Sequence, residues 1–239
     1  MKVLLTDIET SPNQVYCFGI WEQNISINQM ITSSKTMCWS AKWLGQKEVM
    51  YDSIYESSEK KMLKGIHKLL NEADVVVTYN GIKFDLPTLN KEFLMNDMLP
   101  PAPYKQIDML RVARSRFRFQ SNKLDYVAQQ LGLGEKTRHE GFELWVKCMN
   151  LDPGAWARMK KYNKNDTVLL EKVYNKMLPW IPNAPDVNLY TSGECCTRCG
   201  SKELQRRGTA VSVSVVYQRY QCKSCGGWMK GEKSVSHVK

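Results

Sequence analysis

The feature that most constrains the fold is a short apolar strand that ends in two acidic residues near the N-terminus. The apolar run at residues 3–5 has the pattern of a buried strand, and it continues into Asp7, Ile8 and Glu9. Alternate residues of a strand point to the same face, so the two acids are predicted to project together while Ile8 turns to the core. Adjacent carboxylates repel each other, and a divalent cation such as Mg²⁺ or Mn²⁺ would relieve that repulsion. Alone, the pair also fits an ordinary strand end with two solvated acids.

The length and composition allow one sizeable α/β domain with a small addition. The chain has 239 residues, of which 43% are hydrophobic, and this is typical of a globular protein. No apolar run is long enough to cross a bilayer and no signal segment opens the chain, so we expect a cytoplasmic, reducing location. The net charge of +10 favours a polyanionic partner, although solubility alone would also explain it.

The rest of the chain alternates strand and helix patterns, and it begins with three runs that predict hairpin-linked antiparallel strands. The predicted strands lie at residues 14–21, 24–31, 36–44, 49–51, 74–79 and 105–110. The predicted helices lie at residues 59–72, 86–95, 123–131 and 153–177, the last of which is one helix or two.

Two further acids stand at the ends of elements that could bring them to the same sheet. Asp85 follows the strand at residues 74–79 and opens the helix at residues 86–95. It either caps that helix or delivers its carboxylate to the sheet edge near the end of the first strand. Tyr162 and Asp166 lie four residues apart on a predicted helix and therefore share a face. They either point towards the sheet or form a packed tyrosine beside an exposed acid.

Together these sites resemble, in order and spacing, the three motifs of the DEDD superfamily of 3′-to-5′ exonucleases. The motifs are D-x-E, here Asp7 and Glu9; N-x-x-x-F-D, here Asn80, Phe84 and Asp85; and Y-x-x-x-D, here Tyr162 and Asp166. The last form is similar to the tyrosine branch, which includes the proofreading domain of family B DNA polymerases, because Lys161 stands where the other branch has histidine. The resemblance covers residues 1–180 and implies an RNase H-like mixed sheet flanked by helices.

The resemblance implies that phosphodiester bonds are hydrolysed by a two-metal mechanism with four carboxylates. Asp7 would bridge two Mg²⁺ or Mn²⁺ ions, and Glu9 with Asp166 would complete the site that binds the nucleophilic water. Asp85 would support the second ion, partly through water. Tyr162 would orient the attacking water, because a phenol with a pKa of about 10 is a weak general base.

The resemblance also implies residues around the terminal nucleotide. Thr10 and Asn80 would lie near it and contribute to substrate binding. Phe84, and Phe18 from the second predicted strand, would either stack on the terminal base or pack in the core. We expect packing for both rings.

Two C-x-x-C pairs near the C-terminus predict a Cys₄ zinc ribbon. The pairs are Cys196 with Cys199 and Cys222 with Cys225, and an alternating strand pattern at residues 209–220 lies between them. Each pair makes a tight turn that aims two thiolates at one tetrahedral ion, and this spacing is typical of structural Zn²⁺. A domain this small would hardly fold without its metal.

The other cysteines have simpler interpretations. Cys195 is adjacent to one pair but has the wrong spacing for the tight turn. Cys17, Cys38 and Cys148 are expected to pack as small apolar side chains. Two disulfides in place of the metal are disfavoured, because the predicted compartment is reducing.

Prolines divide the chain into its expected parts, at Pro179, Pro182 and Pro185. We expect a nuclease-like domain at residues 1–180, a linker at 181–193 and the ribbon at 194–239. The basic and aromatic residues of the ribbon suit single-stranded nucleic acid, or they form a solvated surface around a small core. An Arg/Phe cluster at residues 111–119 either grips a nucleic-acid backbone or is a loop or helix with an exposed charged face.

The sequence therefore predicts a metal-dependent 3′-to-5′ exonuclease acting on single-stranded DNA or DNA 3′ ends, with two Mg²⁺ or Mn²⁺ ions and one Zn²⁺. A polymerase or another replication protein fits as a protein partner, with any proofreading done in trans. Two alternatives stay open. The first is an exoribonuclease or endonuclease with the same acids, since selectivity depends on groove shape and contacts to the 2′-OH. The second is a nucleic-acid-binding or protein-binding adaptor that keeps the fold without the activity.

Overall fold

The computed structural model describes residues 1–190 and 194–236. The strands are β1 (Val3–Thr10), β2 (Gln14–Val15), β3 (Met30–Thr32), β4 (Thr36–Trp43), β5 (Met50–Ser53), β6 (Val75–Thr78), β7 (Lys105–Asp108), β8 (Leu204–Ser212), β9 (Val215–Cys222) and β10 (Trp228–Ser236). The α-helices are α1 (Glu59–Glu72), α2 (Asp85–Met95), α3 (Met109–Arg116), α4 (Leu124–Gln130), α5 (Phe142–Met149) and α6 (Pro153–Met177). Within the described residues, no helix combines the length and apolarity needed to cross a membrane.

Five strands form a mixed sheet in the order β5-β4-β1-β6-β7. β4 runs antiparallel to β1 and places Ser40 opposite Asp7 and Cys38 opposite Glu9. β6 runs parallel to β1 on its other edge, β7 runs parallel to β6, and β5 runs antiparallel to β4. The acid-bearing strand β1 therefore lies in the middle of the sheet with both edges paired.

Alternation along the two central strands divides the core into two layers. Leu5 and Val77 pack with α3, α4 and α6 on one face of the sheet. Leu4 and Val76 pack with α1 and α2 on the other. Because helices cover both faces, β6 can be an unbroken apolar run that is buried on both sides.

The prediction of a full strand at residues 14–21 is wrong. Only Gln14–Val15 forms a strand, paired with β3, and the following Phe18 and Trp21 are exposed. The predicted strand at residues 24–31 is likewise reduced to its end, at β3. These residues favour strands by composition, but β4 and β6 already occupy both edges of β1 and leave the segment no edge of β1 to join.

Helix α6 is a single helix of 25 residues rather than two. Asp152 is its N-cap and accepts a hydrogen bond from the backbone N–H of Ala155, while Pro153 occupies the first helical position. The preceding helix α5 goes beyond the sequence prediction. Its buried residues, Leu144 and Cys148, are one turn apart and are the only periodic signal of this short element.

Strands β8, β9 and β10 form a second, antiparallel sheet near the C-terminus. The run at residues 209–220, predicted as one strand, instead turns back at residues 213–214 and contributes to both β8 and β9. Of the predicted linker, the structure describes residues 181–190. The Ile181 carbonyl accepts a hydrogen bond from Arg198 Nη1 at 2.6 Å, so this segment contacts the ribbon directly.

Candidate active site

Three of the predicted acids converge in the structure. Asp7 and Glu9 project from β1, and Asp166 projects from α6, which packs across β1 and β4. One carboxylate oxygen from each of the three residues lies within 4.8 Å of the others. The strand alternation predicted from sequence is seen as well, because Ile8 between the two β1 acids is buried.

Asp85 is delivered to the same strand by α2. It is the first residue of that helix, and its carboxylate Oδ1 accepts a hydrogen bond from the backbone N–H of Ile8 at 3.2 Å. The N-cap position belongs to Phe84, so the alternative of Asp85 as a helix cap does not hold. Asp85 is buried, and its charge acts on Asp7 and Glu9.

Tyr162 and Asp166 share the face of α6 that is turned to the acids. The tyrosine is 7% exposed and the aspartate 1%, which excludes the alternative of an exposed Asp166. One residue further along the helix than Tyr162, Asn163 donates a hydrogen bond from Nδ2 to Asp7 Oδ2 at 2.7 Å. The sequence analysis missed Asn163, although its position three residues before Asp166 puts it on the same helical face.

Lys136 is the cation of this cluster, and it also lies outside the predicted set. It comes from the loop between α4 and α5, and its Nζ lies 2.6 Å from Asp166 Oδ2 and 3.0 Å from the Tyr162 hydroxyl. No periodic pattern marks a lysine in an irregular loop, so its role follows only from the tertiary structure.

Burial and mutual repulsion make the four carboxyls hard to ionise. Burial, followed by the charge of Asp166, raises the pKa of Glu9 to about 8. Burial raises the pKa of Asp85 to about 7. The pKa values of Asp7 and Asp166 are raised as well, in both cases mainly by burial, and the nearby Lys136 opposes each shift.

The cluster therefore has more negative charge than the chain itself compensates. Lys136 forms an ion pair with only one of the acids, Asp166. The buried Oδ1 atoms of Asp166 and Asn163 find no hydrogen-bond partner among the described residues. Oxygen atoms from several carboxylates with unused coordinating capacity form a donor set that fits divalent cations such as Mg²⁺ and Mn²⁺.

Two cavities flank the acids and differ in chemistry. One, of about 530 Å³, is lined by Asn80, by the acids Asp7 and Asp125 and by the cations Arg114, Lys123 and Lys136, so positive side chains outnumber negative ones there. A third and larger cavity, of about 590 Å³, does not flank the acids, and no charged side chain lines it.

The second flanking cavity, of about 400 Å³, is lined by three aromatic rings and no acidic side chain. Its lining residues are Thr10, Ser11, Pro12, His139, Gly141, Phe142 and Trp145. The indole of Trp145 lies near Glu9, where it acts to lower the pKa of that carboxyl, and its ring lies 6.1 Å from the ring of Tyr162, centroid to centroid. Because α5 was not predicted, the sequence analysis missed Trp145.

The predicted substrate residues fall into two groups. Thr10 and Asn80 each line a cavity beside the acids, as expected for residues near a bound nucleotide. The expectation that Phe84 and Phe18 pack in the core is wrong, because Phe84 is 44% exposed and Phe18 is fully exposed. Phe84 sits at the start of α2 and Phe18 follows the short β2, so neither ring lies under a second layer of structure.

The four cysteines of the two C-x-x-C pairs also converge. The Sγ–Sγ distance is 3.6 Å between Cys196 and Cys225 and 3.7 Å between Cys199 and Cys222. Four sulfur atoms at about 2.3 Å from a tetrahedral Zn²⁺ lie about 3.8 Å from one another. The thiol cluster therefore has the size that a tetrahedral metal requires.

The remaining cysteines match their predictions with one exception. The Cys195 thiol contacts Asn188 Oδ1 instead of joining the cluster, and Cys38 and Cys148 are buried. Cys17 is exposed, so the prediction that it packs in the core is wrong. It lies in the same segment whose predicted strand does not form.

Comparison with known proteins agrees with this geometry. The family model of the RNase H superfamily matches residues 4–178, and comparison with curated proteins returned no significant match. The fold is similar to that of the family B DNA polymerase from the hyperthermophilic archaeon Pyrobaculum calidifontis, with a TM-score of 0.57 and 16% sequence identity. The alignment covers 74% of this chain and 24% of the polymerase chain. The family match and the mixed sheet flanked by helices confirm the predicted RNase H-like fold.

Proposed function

Because the chain belongs to the RNase H superfamily, we propose that it is a metal-dependent 3′-to-5′ exonuclease of the tyrosine branch, acting on single-stranded DNA or DNA 3′ ends. The observation that carries the proposal is the convergence of Asp7, Glu9 and Asp166, with their ligand oxygens within 4.8 Å of one another. Tyr162 on the same helix face as Asp166, and Asp85 beside β1, complete the five-residue set.

The carboxylates are the groups that would hold the ions. Asp7, Glu9 and Asp166 would hold one divalent cation, and Asp7 with Asp85 would hold a second. When bound, such ions lower the pKa of a coordinated water and stabilise charge on the phosphate. Asn163 fixes the Asp7 carboxylate through its hydrogen bond and so orients the residue shared by both sites.

Tyr162 acts as an orienting group rather than as a base. Burial and the neighbouring Asp166 raise the pKa of its phenol above the ordinary value, so the hydroxyl stays protonated near neutral pH. Lys136 holds that hydroxyl by donating to its oxygen at 3.0 Å, so the phenolic proton would hydrogen-bond either the Asp166 carboxylate or the reacting water. The cationic cavity lined by Arg114 and Lys123 suits the phosphates of the strand.

The Cys₄ cluster would hold one structural Zn²⁺. In this proposal residues 1–180 form the nuclease domain, 181–193 the linker and 194–239 the ribbon. Thiolate ligation of this kind is compatible with a reducing, cytoplasmic compartment. A polymerase or another replication protein is the protein partner that a proofreading role would require.

A panel of 5′-labelled DNA and RNA oligonucleotides tests the proposal. With Mg²⁺ or Mn²⁺ we expect a ladder of products shortened from the 3′ end of DNA, and no products in buffer depleted of divalent ions. The Asp7→Ala variant should give no ladder although it folds, whereas Glu48→Gln, at an exposed acid outside the cluster, should behave as wild type. Faster shortening of RNA would assign the exoribonuclease alternative, internal products an endonuclease, and binding without products the adaptor.

A further inference from the structure

One face of the C-terminal sheet carries rings and cations together. Strand alternation places Tyr217 and Arg219 of β9 on the same side, and the register of β10 places Lys230 opposite Arg219. The members of this face that matter here, called the ring-and-cation face, are Arg207, Tyr217, Arg219, Trp228 and Lys230.

The rings and cations of this face form two close pairs. The Arg219 guanidinium lies 5.1 Å from the centroid of the Trp228 ring, and Lys230 Nζ lies 4.6 Å from the centroid of the Tyr217 ring. Arg219 Nε also donates to the backbone carbonyl of Arg207 at 2.9 Å, which fixes the guanidinium over the sheet. These positions are therefore set before any ligand arrives, which lowers the entropic cost of binding.

The described part of the face is exposed and positively charged. Trp228 is 49% exposed, and Arg207, Arg219 and Lys230 are exposed. None of the side chains that the structure describes on the strands of this face is acidic, so none of them competes for the three cations. Half-exposed aromatic rings beside unpaired cations are not the composition of a small core, which favours the binding interpretation over packing alone.

Single-stranded nucleic acid matches both halves of this chemistry. Exposed bases stack on aromatic rings at a gain that is independent of sequence, and phosphates pair with Arg and Lys. A duplex hides its bases, and an acidic peptide would use the cations but not the rings. Both groups are used together only by a strand with free bases and a charged backbone.

We propose that the ring-and-cation face binds single-stranded nucleic acid, with bases on Trp228 and Tyr217 and phosphates on Arg219, Lys230 and Arg207. The inference deepens the proposed function, because such a strand is the substrate class of the acid cluster. It is tested without catalysis, so the two can fail separately.

The test measures binding of a fluorescein-labelled oligo(dT), and of oligo(U), of about 16 nucleotides to the full chain. All variants are made in an Asp7→Asn background and checked for zinc content. We expect Trp228→Ala to raise the Kd about tenfold, as loss of one base stack does. Arg219→Gln should raise it several-fold and reduce the slope of log K against log salt by about 0.7.

Arg206→Gln is the matched control. Arg206 is an exposed arginine of the same sheet, but it pairs with Tyr220 and so lies on the opposite face from Arg219. Its Kd should stay within about twofold of the parent. Equal losses in Arg206→Gln and Arg219→Gln would overturn the proposal in favour of a diffuse basic surface.

Other outcomes are equally decisive. If neither oligonucleotide binds the parent, the face serves a different partner, such as a protein, and the proposal is wrong. If Trp228→Ala loses zinc, Arg219→Gln and Lys230→Gln decide, because exposed cations can be removed without disturbing the Cys₄ cluster. Wild-type protein that binds oligonucleotides here but never shortens them would refute the proposed nuclease activity and leave this site standing.

Discussion

The chain gathers side chains that can bind metal twice, as carboxylates around β1 and as thiols beside the C-terminal sheet. The carboxylates sit in a mixed sheet covered on both faces, where Leu4, Leu5 and Val77 are fully buried. The thiols sit beside three strands whose side chains are largely exposed or only half-buried. The first region has apolar packing that can carry a repulsive cluster, whereas the second has little apolar packing of its own. In the proposed function, metal would therefore serve chemistry in the first region and folding in the second.

The largest effect is expected when the ribbon loses its metal. Cys222→Ser should abolish zinc binding and unfold β8, β9 and β10 while leaving the five-stranded sheet intact, because structural zinc contributes on the order of 10 kcal/mol to such a fold. Zinc content and hydrogen exchange of residues 204–222 measure it. Cys195→Ser should keep zinc, since that thiol contacts Asn188 outside the cluster. If the ribbon amides stayed protected from hydrogen exchange without zinc, the proposed difference between the two regions would be wrong.

The second-largest effect is expected at Asp7, where a substitution should lower activity and raise stability. Asp7→Asn should lower the rate of nucleotide release by about 10³-fold, which is a few kcal/mol of transition-state stabilisation. It should also raise the melting temperature of the ion-free protein, because it removes a carboxyl whose ionisation is opposed by burial and by three neighbouring carboxyls, and keeps an oxygen for Asn163 Nδ2. A variant that loses activity and stability together would show instead that Asp7 supports the fold.

A smaller loss is expected at the orienting tyrosine. Tyr162→Phe should reduce the rate about tenfold to a hundredfold with little change in KM, the cost of one hydrogen bond to a reacting group. Tyr174→Phe is the matched control, because Tyr174 lies on the same helix but packs in the core. Steady-state kinetics on one oligonucleotide separate kcat from KM. A wild-type rate in Tyr162→Phe would remove this residue from the mechanism.

The smallest effect is the pH dependence of stability. Glu9 and Asp85 have pKa values of about 8 and about 7 in the fold, above their unfolded values of 4.5 and 3.8. The folded state therefore holds protons that the unfolded state has released, and the free energy of unfolding falls as pH rises from about 4 to about 8. Mg²⁺ or Mn²⁺ should raise the melting temperature by several °C at pH 8, at about 2–4 °C per kcal/mol, and by less at pH 5.

Melting curves at both pH values, with and without added ions, measure this dependence. The Asp7→Asn variant should show a smaller response to the ions. An equal shift at pH 5 and pH 8 would mean that ions bind without displacing protons from the acids. The cysteine cluster must stay loaded throughout, so ions are removed with a resin before zinc is restored.

The acids could be predicted from the sequence because local rules determine which way their side chains point. Asp7 and Glu9 follow from strand alternation, and Tyr162 with Asp166 from helical spacing. Asn163 and Lys136 depend on contacts across the fold, since Asn163 meets a residue 156 positions away and Lys136 comes from a loop. No local pattern encodes such contacts.

The strand predicted for the segment after β1 was wrong for a related reason. Residues 14–21 favour strands by composition, but whether a strand forms depends on a free sheet edge, and β4 and β6 occupy both edges of β1. The alternating pattern at residues 209–220 was predicted as one strand but is divided between β8 and β9, because alternation persists through the two-residue turn. Composition thus predicted element type better than pairing.

The most direct test of the account is a crystal of the protein equilibrated with Mn²⁺ and examined by anomalous diffraction. The account predicts one manganese peak among the carboxylates of Asp7, Glu9 and Asp166 and a second between Asp7 and Asp85, with no manganese peak when Asp7→Asn is treated in the same way. Wild-type crystals with no manganese at these four carboxylates, while zinc is present at the cysteines, would contradict it.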